Sequence, residues 1–396
     1  MFVAHSPFER LRRALADAPP GAPPIDLSIG SPTHPSPDFV PEVLARHAGE
    51  FVAYPPFEGT ASFQRAVHDW LDRRYGLEGW FREAGVVLPT SGSRDGLFFS
   101  LVTVRDILEK PRPAVLFANP FYQAYPAAAH AIGAEPVPIA AADGIVPDFE
   151  AVPEATLDRA IAYYFGAPSN PAGAVATVAD WHRLFDRAER HDFFLFADEC
   201  YSEIYREAAG PPAGALQAAR ERPDALARLV VFNSLSKRSN LAGMRTGIVA
   251  AERELAASLK GLRQQAGPQV PTPLQEVAAA AFDDEAHVAA NRRLYDAKFV
   301  DAEAALGPLF GPVTPPASFF LWLPVSDDLE FAVRLWREAG VRVLPGRYLG
   351  SGEGPANPGH GRVRLALVAD AERTRGALAR VGEAMDAPAL REAAAG

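Results

Sequence analysis

Of the 396 residues only Cys200 is a cysteine, so the chain can form no internal disulfide and no cysteine-based zinc site. Lysine is nearly absent too: Lys110, Lys237, Lys260 and Lys298 are the only four among 39 basic residues, and the other 35 are arginine. Basic runs stop at pairs such as Arg12-Arg13 and Arg73-Arg74, and 39 basic against 49 acidic residues leave a net charge of −10. That balance argues against nucleic acid or an anionic membrane as the main partner. No apolar run approaches the ~20 residues that cross a bilayer. The opening MFVAHSPFERLRRALADAPP has no long apolar core of the kind that marks a secretory signal. The expectation is a cytoplasmic protein with no membrane partner.

What is present is an ordinary globular composition, 48% hydrophobic and 22% charged, in a chain long enough for two domains. Short apolar runs recur at 86–92, 114–122, 160–170, 193–201, 229–237 and 246–252. Each ends in Gly, Pro, Ser, Asn or Asp, which is how buried parallel strands read. Helical segments such as VADWHRLFDRAERH supply the crossovers. The fold class is therefore α/β, a mostly parallel sheet covered by helices on both faces. Past about residue 270 one long helical stretch leads into SFFLWLPV, VRVLPG and GRVRLALV, which read as strands of a smaller α+β unit. The expected division is an N-terminal arm (1–45) that completes the small unit, a large unit (46–270) and a small C-terminal unit (271–396). The proline-rich segment APPGAPPIDLSIGSPTHPSPDF is expected to be extended and to lie over another surface. Glycine-rich 350–361 lacks a Walker lysine and reads as a surface loop.

A chain that supplies its charge with arginine and still keeps a lysine in SLSKRSNLAGMRTG invites a chemical reading. Lysine, unlike arginine, can lose its proton when desolvated and bond a carbonyl. In an open parallel sheet ligands collect at the carboxyl ends of the strands. There the sequence places Ser91, Gly92 and Ser93, then Asn119 and Tyr122, Asn170, Asp198 and Tyr201, and finally Ser234, Ser236 and Lys237. An anion site, a carboxylate, phenols, an amide and an amine in one crevice match what pyridoxal 5'-phosphate requires. Asp198 keeps a ring nitrogen protonated, and Asn170 and Tyr201 donate to the ring oxygen. Ser93, Arg94, Ser234, Ser236 and Arg245 meet the phosphate, Tyr122 stacks on the ring, and Lys237 bonds the cofactor and later moves a proton. Singly, each has a plainer account: a loop lysine, a helix-capping aspartate, a turn asparagine, a core tyrosine. Cys200, at the end of FLFADECY, reads as a buried, inert thiol.

At these residues the chain resembles the fold-type I, class I/II aminotransferases. SLSKRSNLAGMRTG is similar to their lysine signature, with Ser234 three before the lysine and Arg245 eight after it. SGS at 91–93, NPFYQAY, SNPAG, DECY and RLAL follow in the family's order, over about residues 25–370. Thr246 departs from the usual apolar residue. The resemblance implies that Arg364 clamps the substrate α-carboxylate and that the Gly30 backbone contacts it. It also implies that Tyr54 reaches a partner subunit's phosphate, making a homodimer with shared active sites. NSLSKRSNL, DECYSEIY, NRRLYDAKF and ASFFLWLP narrow the resemblance to bacterial N-succinyldiaminopimelate aminotransferases, although NLAG and GSRDGLF differ from the wording NLPG and GTREALF.

The implied reaction moves an amino group between glutamate/2-oxoglutarate and an amino acid/keto acid pair, N-succinyl-LL-2,6-diaminopimelate first, in lysine biosynthesis. Alternatives are an aspartate/alanine-type aminotransferase, a C–S β-lyase on the same cofactor, or a regulatory module, which the missing basic helix-turn-helix extension disfavours. A remote carboxylate needs its own donor, and Arg94, Gln269 and Arg347 are open choices.

Overall fold

The computed structural model describes residues 6–141 and 145–385, so the outer ends of the expected arm and small unit, 1–5 and 386–396, lie outside the described residues. In chain order the strands are β1 (Ile25–Asp26), β2 (Gly85–Thr90), β3 (Ala114–Asn119), β4 (Glu135–Ala140), β5 (Ala160–Gly166), β6 (Phe194–Asp198), β7 (Leu229–Ser234), β8 (Gly247–Glu252), β9 (Phe320–Pro324), β10 (Val341–Arg342), β11 (Leu344–Pro345) and β12 (Arg362–Ala366).

Seven of them form one sheet in the order β2-β8-β7-β6-β5-β3-β4. Alternate residues feed cores on opposite faces: Leu195 and Ala197 of β6 join one apolar cluster with Trp70, Trp181 and Leu184. Phe194 and Phe196 join another with Leu97, Leu101 and Leu259. Fully burying one such Leu or Phe side chain contributes about 1.5–3 kcal/mol. The helix Val178–His191 starts where read, because Thr177 and Asp180 cap each other's backbone amides in a reciprocal box.

The reading of one strand needs correction, and another strand was missed. The run 246–252 is not parallel: β8 pairs antiparallel with both β2 and β7. Apolarity on both faces reports burial but not direction. The connection 235–246 forms only a helical turn (Leu235–Arg238) and a 3-10 turn (Ala242–Met244). The chain therefore returns down the sheet instead of crossing over. Strand β4 went unread because Pro136 and Pro138 interrupt it; it is an edge strand, pairing only with β3, where a missing N–H costs no ladder bond.

The helical stretch past 270 is two helices, Thr272–Asp283 and Ala286–Phe310. Asp284 separates them, its extended backbone breaking the run while its carboxylate accepts from the amides of Ala286 (2.6 Å) and His287 (3.1 Å). Beyond lie a three-stranded sheet, β11-β12-β9, and the pair β1-β10. The proline-rich segment is extended as read, but it is threaded through this part rather than laid over it. The Leu27 amide donates to the Arg342 carbonyl (2.8 Å), the Leu27 carbonyl accepts from Ala366 (2.7 Å), and Leu27 is fully buried.

Candidate active site

Parallel strands β5, β6 and β7 end side by side in Gly166, Asp198 and Ser234, and β8 begins there at Gly247, opposite Ser234. A cavity of about 590 Å³ opens at these ends. Its walls hold Gly30, Ser93, Arg94, Tyr122, Asn170, Asp198, Tyr201, Ser234, Ser236, Lys237, Arg245 and Arg364; of the residues read from the sequence as belonging to the site, Ser91, Gly92, Asn119 and Tyr54 do not line it. Tyr54 is 94% exposed, following Phe51 and Val52, which are also exposed.

The Lys237 amine donates to the Gly30 carbonyl at 2.7 Å. It lies 5.4 Å from the Phe319 ring centre and 5.9 Å from that of Tyr201. Burial pulls its pKa down to about 8, with Arg364 and Arg245 adding to the effect. Asp198 is buried beneath, accepting from the Tyr125 hydroxyl (2.8 Å) and the Cys200 amide (3.3 Å). Burial raises its pKa against the pull of these donors and of Lys237. Tyr125 was not singled out in the sequence, although it stands one helical turn after Tyr122 in NPFYQAY. Its ring stacks on Tyr164 at 4.5 Å and 6°.

The strand-end turns form an anion cradle. Ser234 Oγ accepts from the Ser236 amide (3.1 Å) and bonds Ser236 Oγ (2.9 Å). The helix Ser93–Leu108 starts beside it, capped by Gly92 at φ +82. That positive φ favours glycine, and a Cβ there would also stand 2.3 Å from Arg245 Nη2 and push the guanidinium aside. The loop is braced from behind: Asp95 accepts from the Ser91 amide (2.9 Å) and from buried Arg263 (2.9 Å).

Arg364 is 3% exposed. It donates to Asn170 Oδ1 (2.9 Å) and the Ser28 carbonyl (2.8 Å), and packs 4.3 Å from the Phe320 ring centre. Its Nε is buried with no partner among the described residues. Burial lowers its pKa to about 10. A buried cation with an unpaired donor suits a small carboxylate.

Several expectations shift. Cys200 is half-buried in the cavity wall rather than fully buried, but it is inert as read, since desolvation raises its pKa and keeps the thiol protonated. Asn119 turns away from the crevice to exchange hydrogen bonds with Ser351 (3.0 Å each). Among the open choices for a remote carboxylate, Arg347 is spent on Asp327 (2.8 Å) and Asp328 (2.7 Å), and Gln269 on the Pro55 carbonyl (2.7 Å). Arg94 alone of the three lines the cavity, its guanidinium donating to the Tyr122 hydroxyl at 2.7 and 2.9 Å. Among the described residues no helix is long and apolar enough to cross a membrane.

Known proteins share this fold. The structure is similar to that of an aminotransferase from Neisseria meningitidis (TM-score 0.90, 36% identity, 96% of this chain and 97% of that one). It is also similar to a probable N-succinyldiaminopimelate aminotransferase from Thermus thermophilus (TM-score 0.80, 27% identity, 96% and 100%). In sequence it is 30% identical over 369 residues to the LL-diaminopimelate aminotransferase of Maridesulfovibrio salexigens, 91% of each chain being covered. The profile of the class I and II aminotransferases matches residues 22–379. With the lysine, the carboxylate and the anion cradle at the strand ends of this fold, the chain belongs to the class I and II aminotransferases, fold-type I enzymes that work with pyridoxal 5'-phosphate.

Proposed function

We propose that the enzyme transfers the amino group between glutamate/2-oxoglutarate and a diaminopimelate-class substrate, N-succinyl-LL-2,6-diaminopimelate in the first instance. The observation that carries the transferase reading is the convergence of Lys237, Asp198 and Arg364 on one cavity. Bound pyridoxal phosphate supplies an electron sink at its protonated ring. The residues of this chain fit it. Asp198, desolvated and held by Tyr125, pairs with the ring N–H. Ser234, Ser236, Arg245 and the amides around Ser93 hold the phosphate, and Tyr122 flanks the ring. Because Arg364 occupies Asn170 Oδ1, Asn170 offers its amide N–H to the ring oxygen beside the Tyr201 hydroxyl. Arg364 grips the substrate α-carboxylate, Gly30 lies against it, and Lys237 moves the proton at the substrate Cα.

Two cations of the cavity are left for substrate, Arg364 and Arg94, and among the described residues Arg94 is paired with no acid. A substrate with a second, remote carboxylate matches that pair. The names of the relatives favour a second reading, free LL-diaminopimelate, at the same site. Initial rates with 2-oxoglutarate and, in turn, N-succinyl-LL-2,6-diaminopimelate, LL-diaminopimelate, aspartate and alanine decide among these. A better rate with aspartate or alanine sinks the substrate proposal and leaves the class intact. Glutamate alone, releasing 2-oxoglutarate one to one with enzyme, separates a transferase from a C–S β-lyase.

We also read the protein as a cytoplasmic homodimer in which Tyr54 serves the partner's site, with an arm (1–45), a large unit (46–270) and a small unit (271–396).

A further inference from the structure

The segment NRRLYDAKF has no part in the chemistry above, yet two of its residues are among the most buried polar groups. Asn291 and Lys298 are 3% and 1% exposed. Seven apart on the helix Ala286–Phe310, they share one face.

Lysine has three N–H donors, and Lys298 uses all of them: His34 Nε2 (2.6 Å), the Leu367 carbonyl (3.0 Å) and the Ala369 carbonyl. Because His34 Nε2 accepts, its Nδ1 carries the proton and donates to Asn291 Oδ1 at 2.8 Å. Asn291 Oδ1 also accepts from Asn240 (3.2 Å), which fixes the amide the other way round. Its Nδ2 then points at the carbonyls of Lys237 (3.3 Å) and Arg238 (3.5 Å). The donors therefore run in one direction, from ammonium to imidazole to amide to the backbone of the Lys237 turn.

The chain ends on three parts of the site. Leu367 and Ala369 directly follow β12, which carries Arg364; His34 closes the extended segment that carries Ser28 and Gly30; and Asn291 holds the turn of Lys237. We infer that Lys298, His34 and Asn291 are positioning residues that set where the Gly30 carbonyl and Arg364 stand relative to the Lys237 amine.

Packing alone does not account for them. An apolar side chain as long as lysine fills the same space without the cost of burying a charge, so the charge serves placement. The groups facing the relay are the Tyr295 ring, 4.6 Å from the His34 ring and 5.1 Å from Lys298 Nζ, and the Asp370 carboxylate, which acts on Lys298 through its charge. Burial lowers Lys298 to about 8. It also lowers His34, and the adjacent ammonium adds to that, keeping the imidazole neutral as the relay requires.

The inference rests on the reading of Gly30 and Arg364 as the substrate-carboxylate side. Its test compares Lys298→Met, His34→Phe and His34→Gln as cofactor-loaded enzymes; glutamine can still accept from Lys298 and donate to Asn291. Amide hydrogen exchange over 27–34, referred to β6, should quicken about tenfold in Lys298→Met and His34→Phe. The KM for the amino donor should rise about tenfold with kcat within about threefold, the loss expected of one charged hydrogen bond. His34→Gln should restore most of both. Unchanged exchange over 27–34 overturns the relay, as does a fall in kcat that merely tracks the folded fraction. Should Lys298→Met fail to fold, the contrast between His34→Gln and His34→Phe decides alone. If the wild-type enzyme moves no amino group from any donor, the functional reading falls, and the exchange measurement still judges the relay.

Discussion

The guanidinium of Arg364 donates to Asn170 Oδ1 across 2.9 Å, joining β12 to the loop after β5. One contact thus ties the group read as the substrate clamp to the group read as the donor to the ring oxygen. Arg364→Lys keeps the charge but loses the fork, so it cannot satisfy Asn170, Ser28 and a carboxylate together. The expected result is a rise in KM for both amino and keto acid of about tenfold to a hundredfold, with cofactor retention unchanged. Steady-state kinetics on the two half-reactions measure it, and an unaltered KM removes Arg364 from the substrate site.

Lys237→Ala should fold and bind pyridoxal phosphate yet yield no cofactor fixed to protein by borohydride. Among the described residues, the cavity wall holds no second lysine. Mass spectrometry of the reduced, digested protein gives the answer.

The amine must be unprotonated to attack an aldehyde. With its pKa held at about 8, apo-protein capture of the cofactor should quicken about tenfold per pH unit below pH 8 and level off above it. An ordinary lysine would keep accelerating to about pH 10.4. Stopped-flow absorbance across pH 6 to 10 distinguishes the two.

Asp198→Ala should cost orders of magnitude in turnover, because the ring nitrogen loses its counter-charge. Tyr125→Phe removes one hydrogen bond to that carboxylate and should cost less, about 0.5–3 kcal/mol, read as a shift in the pH dependence of the cofactor absorbance. An unmoved spectrum in Tyr125→Phe limits that hydroxyl to packing.

A 94% exposed tyrosine next to exposed Phe51 and Val52 suits an interface. Tyr54→Phe should weaken cofactor retention by a few fold to about a hundredfold and leave the dimer in place. Sedimentation velocity tests the assembly, and a fully active monomer refutes the shared site.

The residues legible in the sequence were those carried by short, local signals. Lys237 lies in a turn whose serines and arginine are spaced by that turn, and Asp198 ends an apolar strand, so neither required knowledge of distant parts. Tyr125 and Arg263 escaped because their roles rest on partners 73 and 168 residues away, for which one sequence offers no cue. Strand β8 was visible as a strand but not by direction, since a fully buried strand looks alike both ways. Strand β4 was hidden by prolines tolerated only at a sheet edge. NRRLYDAKF stood out as a motif, but its polar residues showed their purpose only once His34 was found beside them. The choice among Arg94, Gln269 and Arg347 rested on which side chains were already paired.

The reversal of β8 links catalysis to the durability of the protein. Its first residue, Gly247, is paired with Ser234 on one side and Thr90 on the other, so two distant stretches of chain, the end of β2 and the β7–β8 connection, meet at the anion cradle. An anion held there touches β7, the Arg245 turn and the loop after β2 at once, acting as a staple across the β2 edge of the sheet. Free energy of binding to the folded state adds to the free energy of unfolding, about 2.7 kcal/mol at a ligand concentration a hundred times Kd. Inorganic phosphate or pyridoxal phosphate should therefore raise the melting temperature in proportion to the logarithm of its concentration, and the edge of the sheet at β2 should be the first to come apart when the cradle is empty.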